Sequence, residues 1–259
     1  MPYLAGIFLY PIKSLDGIAV NQVKVLASGA LCQDREFAIL DAQGQIVNGK
    51  RNAKVHLVRS TWDAAQSTVS LQIQGSLEKR EFHIESDRIQ LESWLSNYFG
   101  FSVTLAQNST TGFPDDTIAS GPTVISTATL ETVAAWFPGI SITEMRQRLR
   151  ANLEIDDVPP FWEDQLFGNE GEVVKFQIGQ VIFEGINPCQ RCIVPTRNSL
   201  TGESYANFQQ KFTKKRWETL PNWTNKSRFN HFYRLSINTK IPASEAGKVL
   251  KIADEIKLL

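Results

Sequence analysis

Residues 173–192 read VVKFQIGQVIFEGINPCQRC. On either side of Gly179 the residues follow a strand pattern, which points to two strands joined at a tight turn. A hairpin is therefore expected over 173–186, and it delivers the chain straight into Pro188, Cys189, Gln190, Arg191 and Cys192. Two of the three cysteines in the chain sit there. The stretch after them, IVPT, makes a poor helix start because Pro195 breaks it. A C-x-x-C in this context has five readings: a zinc half-site, a redox pair, a deaminase signature, a cofactor ligand, or buried packing.

Working outward from the hairpin, strands dominate. Upstream, LAGIFLYPI (4–12), AVNQVKVLA (19–27), EFAILDA (36–42), QIVNGK (45–50), KVHLVRSTWDA (54–64), TVSLQIQ (68–74) and REFHIES (80–86) are short and β-rich, with turn signals such as DAQG between them. A helix is expected after Asp87, a candidate N-cap with Gln90 three residues on. Leu91, Trp94, Leu95, Tyr98 and Phe99 mark its apolar face, and Gly100 ends it. Residues 106–122 are polar and rich in turn formers, the best linker or loop in the chain. A strand at TVIS leads to a helix near 129–137, and Ser141-Ile-Thr-Glu144 reads as the capping box of another. A further helix is expected over about 205–217, and the chain returns to strand at HFYRLSI and KVLKIADEIKLL. The fold class implied is α+β and strand-dominated, barrel-like rather than a doubly wound sheet.

Composition narrows the function classes. The chain has 259 residues, with 42% hydrophobic and 21% charged, ordinary for a globular protein. Lys plus Arg and Asp plus Glu are both 27. A zero balance gives no global pull toward nucleic acid or anionic membrane, so any anion site is local. No apolar run approaches the length of a membrane span. Three cysteines make no disulfide framework, and a cytoplasmic setting is expected. The basic cluster Lys211, Lys214, Lys215 and Arg216 reads as a solvated helix face before a partner patch.

The cysteine readings separate on context. Structural zinc wants four ligands, and only Cys32, His56, His83 and His231 remain as scattered Cys or His donors. A zinc deaminase needs H-x-E and P-C-x-x-C at helix starts. His83-Ile84-Glu85 lies in a strand pattern about a hundred residues away. A thioredoxin-like pair wants its first cysteine at a helix N-terminus. Buried packing stays open, as does a single thiolate on a soft metal whose other ligands come from an organic cofactor. In the last case Arg191 favours the thiolate beside it and can bind a phosphate.

Five short motifs in order extend that last reading. Tyr10-Pro11-Ile12-Lys13-Ser14, Asp34-Arg35-Glu36-Phe37, Arg150-Ala151-Asn152-Leu153, Cys189-Gln190-Arg191-Cys192 and Thr201-Gly202 together resemble the MOSC family, the molybdenum-cofactor sulfurase C-terminal domain. The nearest likeness is to two-part members with an N-terminal β-barrel domain, as in the mitochondrial amidoxime-reducing component. The tail from Lys248 to Ile256 is similar to the family's closing pattern, with Ala253 where glycine is usual.

The resemblance implies an N-terminal β-barrel-like domain over 1–105 and a MOSC β-barrel domain over 106–259, with a barrel able to take strands from both halves. It implies a molybdenum–molybdopterin cofactor between them, and no pyridoxal phosphate. Cys192 is the implied metal ligand and catalytic residue, with Cys189 behind it. Lys13, Ser14, Arg35, Arg150, Asn152 and Arg191 are implied cofactor anchors, and Ser126 and Thr127 line the pterin phosphate. Lys, Arg, hydroxyls and a helix N-terminus are the groups that bind such a phosphate. The implied activity is an oxidoreductase reducing small N-hydroxylated or related N–O substrates, the alternative a non-catalytic carrier of cofactor or sulfur. With three cysteines the chain is not expected to hold its own iron–sulfur cluster. Its electrons are then expected from a ferredoxin-, flavodoxin- or cytochrome-type donor protein. One departure concerns Trp162. Many amidoxime-reducing relatives carry an acidic pair just before the tryptophan that Trp162 resembles, whereas here Glu163 and Asp164 follow it.

Overall fold

A computed structural model describes residues 1–259. The chain begins with β1 (Tyr3–Leu9), β2 (Ile18–Val20), β3 (Gln22–Lys24), β4 (Phe37–Asp41), β5 (Val58–Asp63), β6 (Thr68–Ile73), β7 (Lys79–His83), α1 (Arg88–Phe99) and β8 (Val103–Gln107). It continues through β9 (Val124–Ser126), α2 (Thr127–Ala135), α3 (Ile142–Leu149), β10 (Leu153–Asp156), β11 (Val174–Ile178), β12 (Val181–Gln190) and α4 (Phe208–Glu218). The last strands are β13 (Arg234–Lys240), β14 (Val249–Lys251) and β15 (Ile256–Leu258). The fold is α+β and strand-dominated, with no helix long and apolar enough to cross a membrane.

The hairpin read from the sequence is β11–β12. Its antiparallel register runs from Val174↔Gly185 to Ile178↔Val181, leaving Gly179 and Gln180 as the turn. Gly179 has φ +56°, a left-handed conformation that glycine adopts without strain, and a Cβ there would displace the Asp254 carboxylate 2.4 Å away. The pair sits inside an eight-stranded sheet, in the order β15-β11-β12-β13-β9-β10-β1-β2. The β9–β10 pair is parallel. The sheet curls enough that β1 bonds the segment just before β15: Leu4 N–H donates to Asp254 O (2.9 Å), and Ala253 N–H donates to Leu4 O (2.9 Å). Its buried face packs Leu4, Ile7, Leu153, Phe176, Phe183 and Ile237 into one core. Strands from the start of the chain thereby share a sheet with the cysteine-bearing hairpin.

A second core forms under β4–β8, the β5-β6-β7 sheet and α1. On α1, Leu91, Leu95 and Phe99 are buried, the face expected from their spacing. Asp87 stands at the N-cap but makes no side-chain cap bond. Its carboxylate instead accepts from His83 N–H at 2.8 Å, at the end of β7. The expected strand at 45–50 reduces to one bridge, Leu40↔Ile46. The Asn48 side chain there accepts from Lys50 and Arg51 N–H groups, which turns the backbone away from a ladder. A third core lies under α2, α3 and α4. Arg216 belongs to that interior rather than to a basic face. It is 0% exposed and pairs with buried Asp164 at 2.5 Å.

Candidate functional site

One cleft of about 1280 Å³ is walled by both halves of the chain. Lys13, Ser14, Arg35, Arg150, Asn152, Arg191 and Cys192 all line it, together with Cys189. Seven of the nine residues assigned from the sequence thus meet, from segments scattered over 180 positions or so of chain.

Backbone irregularity places the cysteine end. The β12–β13 ladder slips twice, between Gly185 and Asn187 and between Pro188 and Gln190. Such bulges re-aim side chains at the rim of a sheet. Opposite the second slip, Ser236 has φ +62°, a conformation rare outside glycine. The ladder's last bond, Arg191 N–H to Tyr233 O at 3.1 Å, releases the chain into Cys192. Arg191 then ties the corner together: Nη2 donates to Leu149 O, and Nη1 donates to Cys189 Sγ (3.3 Å) and Ser236 Oγ (3.4 Å). The guanidinium therefore holds the first cysteine directly, where the sequence pointed to the second. Burial alone would lower the Arg191 pKa, but the two nearby cysteines outweigh it and raise it. Cys192 is half-buried on the cleft wall.

Another part of the lining is cationic. Ser14 (φ 77°), Arg35 (51°) and Arg150 (54°) all sit in the left-handed region, where non-glycine strain tends to gather at functional sites. Arg150 ends α3, and its N–H closes that helix on Arg146 O. Its guanidinium lies 4.1 Å from the Tyr10 ring centroid, with Arg35 at 5.0 Å. Arg150 donates to Leu15 O (2.6 Å) and has no carboxylate in ion-pair range. Burial lowers its pKa, although the Tyr10 phenol opposes that; Arg35 lowers it further. Burial likewise pushes the Tyr10 phenol up. Arg35 is paired with Asp34 and also donates to Asn152 Oδ1 (3.2 Å).

Asn152 acts differently from its assignment. It is 2% exposed, its Nδ2 donates to Phe8 O (3.0 Å), and its Oδ1 takes Arg35 and Thr123 N–H. Its oxygen and one of its two N–H groups are bonded within the chain, so it braces Arg35 and β1.

Ser126 and Thr127 do not reach the cleft. Ser126 is fully buried and caps α2, accepting from Thr129 N–H at 3.1 Å. Thr127 Oγ1 donates to Glu154 (3.0 Å), which is itself paired with Arg146. Glu163 and Asp164 are also interior, at 1% and 2% exposure. Sequence reasoning missed several cleft groups, among them Asp16, His56, Arg59, Lys50 and Asp115. Asp115 lay in plain sight in the polar loop, but nothing local showed that Lys13 would face it. Burial lowers the His56 pKa, with Arg197, Arg150 and Arg59 nearby.

No group of three His, Cys, Asp or Glu side chains converges to hold a metal ion, which removes the donors a four-ligand zinc site needs. His83 and Glu85 stand at the end of β7 and do not line the cleft, so the deaminase arrangement is not assembled.

Two family models together match residues 1–246. The MOSC N-terminal beta barrel domain matches residues 1–108, and the MOSC domain matches residues 99–246. Molybdenum cofactor sulfurase of Danio rerio is 25% identical over 235 residues, covering 73% of this chain and 27% of its own length. The human molybdenum cofactor sulfurase is 22% identical over 267 residues, covering 85% of this chain and 29% of its own. The chain thus spans under a third of the length of these curated relatives. The YUAD protein of Bacillus subtilis, a solved structure, aligns over 99% of this chain and 94% of its own at 13% identity, with a TM-score of 0.38.

Proposed function

We propose a function from one premise: the chain belongs to the MOSC family. Its curated relatives are named for the molybdenum cofactor, and the chain's function is related to that cofactor. The cleft holds it, Cys192 is the metal's protein ligand, and the protein reduces small N-hydroxylated or related N–O substrates. One observation carries this reading. A half-buried thiol and two half-buried guanidiniums without carboxylate partners, Arg150 and Arg191, face the same cleft. Partly desolvated cations left without counterions are costly, and an entering anion relieves that cost. A dianionic phosphate suits Lys13, Arg35 and Arg150, and a soft metal suits the thiolate.

When bound, the molybdenum centre supplies two-electron removal of oxygen from the substrate. The chain's own residues do the rest. Arg191 pins Cys189, Leu149 and Ser236, which fixes the corner from which Cys192 projects. Asn152 holds the Arg35 guanidinium at the cationic wall. Electrons come from an external ferredoxin-, flavodoxin- or cytochrome-type protein. A second reading, carriage of cofactor or sulfur without turnover, draws on the relatives' name and on Cys189, the second thiol held in the cleft.

The test is metal analysis with pterin fluorescence, on protein from a host that makes the cofactor. Near-stoichiometric molybdenum is expected in the wild type, with binding altered or lost in Cys192→Ala. Cys189→Ala should keep most of its metal. A Cys192→Ala protein with full metal and activity would overturn the ligand assignment. Reduction of an N-hydroxyamidine with an artificial electron donor separates the enzyme from the carrier.

A further inference from the structure

Lys13 is only 8% exposed, yet an ammonium group must place three hydrogen bonds. Its polar contacts all go to one segment. Nζ donates to Phe113 O (2.8 Å) and Pro114 O (3.2 Å) and pairs with the Asp115 carboxylate at 3.0 Å. Asp115 also faces Lys50 at 3.6 Å. Burial raises its pKa, but Lys13, Arg35 and Lys50 together outweigh that and hold the carboxyl far below the usual range. The residue assigned to anchor the cofactor is therefore saturated from within the chain.

The segment is a strap fixed at both ends. At Gly112 a Cβ would lie 2.6 Å from Asp34 O, and at Gly121 it would lie 2.7 Å from Thr239 O. Phe113 N–H donates to Arg35 O (2.8 Å), which ties one side to the cationic wall. Asp116 ties the other: its Oδ2 accepts from Asn238 Nδ2 (3.1 Å), and its Oδ1 accepts from Ile118 and Ala119 N–H. Between these anchors the Asp115 side chain keeps 63% of its surface open. It can rotate out of the cleft while the backbone carbonyls stay on Lys13.

We propose that Asp115 is the cleft's resident counterion and sets which anions the Lys13 end accepts. Asp115 fills the place of a ligand's phosphate and is displaced by it. A phosphate with two charges gains more from Lys13, Lys50 and Arg35 than a carboxylate with one. A small monovalent anion gains nothing over Asp115 and is refused. Calling the displacing ligand the cofactor rests on the function proposed above; the displacement itself does not.

The experiment titrates inorganic pyrophosphate and acetate into cofactor-free protein by calorimetry, comparing wild type, Asp115→Asn and Asp115→Asn/Lys13→Met. Asp115→Asn should bind pyrophosphate at least about tenfold tighter than wild type and should gain acetate binding. The added Lys13→Met should abolish both gains. Equal pyrophosphate affinity in wild type and Asp115→Asn overturns the proposal, as does a gain that survives Lys13→Met. Should Asp115→Asn fail to fold by circular dichroism, Asp115→Ala takes its place with the same expected outcomes. Absence of molybdenum from wild-type protein made in a cofactor-synthesising host would sink the cofactor reading alone. The pyrophosphate titration would still decide the role of Asp115.

Discussion

Glu163 offers a quantitative test of whether the Ser126 region is structural. Its side chain is 1% exposed and accepts from Thr129 Oγ1 at 3.0 Å. Thr129 bonds Ser126 Oγ at 2.7 Å and accepts from Phe161 N–H at 2.6 Å. The other carboxyl oxygen of Glu163 is buried without a partner. Burial and neighbouring Asp164 raise its pKa from 4.5 to about 7. The folded protein therefore keeps a proton that the unfolded chain has released, and stability from this group falls as pH rises between those values. A shift of about 2.5 pH units, at about 1.4 kcal/mol per unit, amounts to roughly 3 kcal/mol.

The perturbation is Glu163→Gln, read by urea unfolding of wild type and variant from about pH 4 to about pH 8. Glutamine removes the charge at nearly constant volume. Any fixed cost of seating its amide shifts the whole curve without changing its slope. Below about pH 4.5 the two stability curves should run parallel. Between there and about pH 7 the variant should gain on the wild type by up to roughly 3 kcal/mol, and above that the gap should stay constant. Curves parallel across the whole range would refute the reasoning, because a carboxyl already ionised in the folded state at low pH gives no such divergence. Moreover, if Ser126 served the cofactor, loading should perturb this profile; as a structural knot it should not.

Two further substitutions probe local rules. Ala253 is exposed at φ 71°, where an L side chain is strained, so Ala253→Gly should stabilise by about 0.5–1 kcal/mol, seen as a raised urea midpoint with unchanged slope. Arg216→Met should cost about 3–5 kcal/mol in the same assay, because it strands Asp164 at 3% exposure with only the Thr224 hydroxyl left to it.

What the sequence disclosed depended on whether the deciding contact was local. The β11–β12 hairpin, the Gly100 stop and the Ser141 cap each rest on residues within a few positions, and each formed. The Ser141 side chain accepts from Glu144 N–H at 3.1 Å, as its capping box required. Strands β8 and β10 went unread because their neighbours complete them. Five-residue β8 pairs with β4, and four-residue β10 lies between β1 and β9, so neither shows a long enough period of its own. Arg216 looked like one more charge in a basic run, and only the fold brought Asp164 to it from 52 positions away. The seven cleft residues were legible for another reason: short motifs in a fixed order bring the history of a family, which no single motif's physics contains.

The site shows where that order stops being informative. Motifs name residue types, but hydrogen-bond capacity decides what each residue is free to do. Asn152 and Lys13 belong to matching motifs, yet the first is bonded through both its oxygen and its nitrogen and the second is held by two backbone carbonyls and a carboxylate. The first is bound to backbone and to Arg35, partners fixed by the sheet, so it remains a brace. The second is bound partly to an open carboxylate, a partner a stronger anion can replace. Arg150 has no carboxylate in ion-pair range and needs no exchange. One cleft thus holds a fixed brace, an exchangeable ion pair and an open cation. Those three roles follow from counting donors against acceptors in the folded chain.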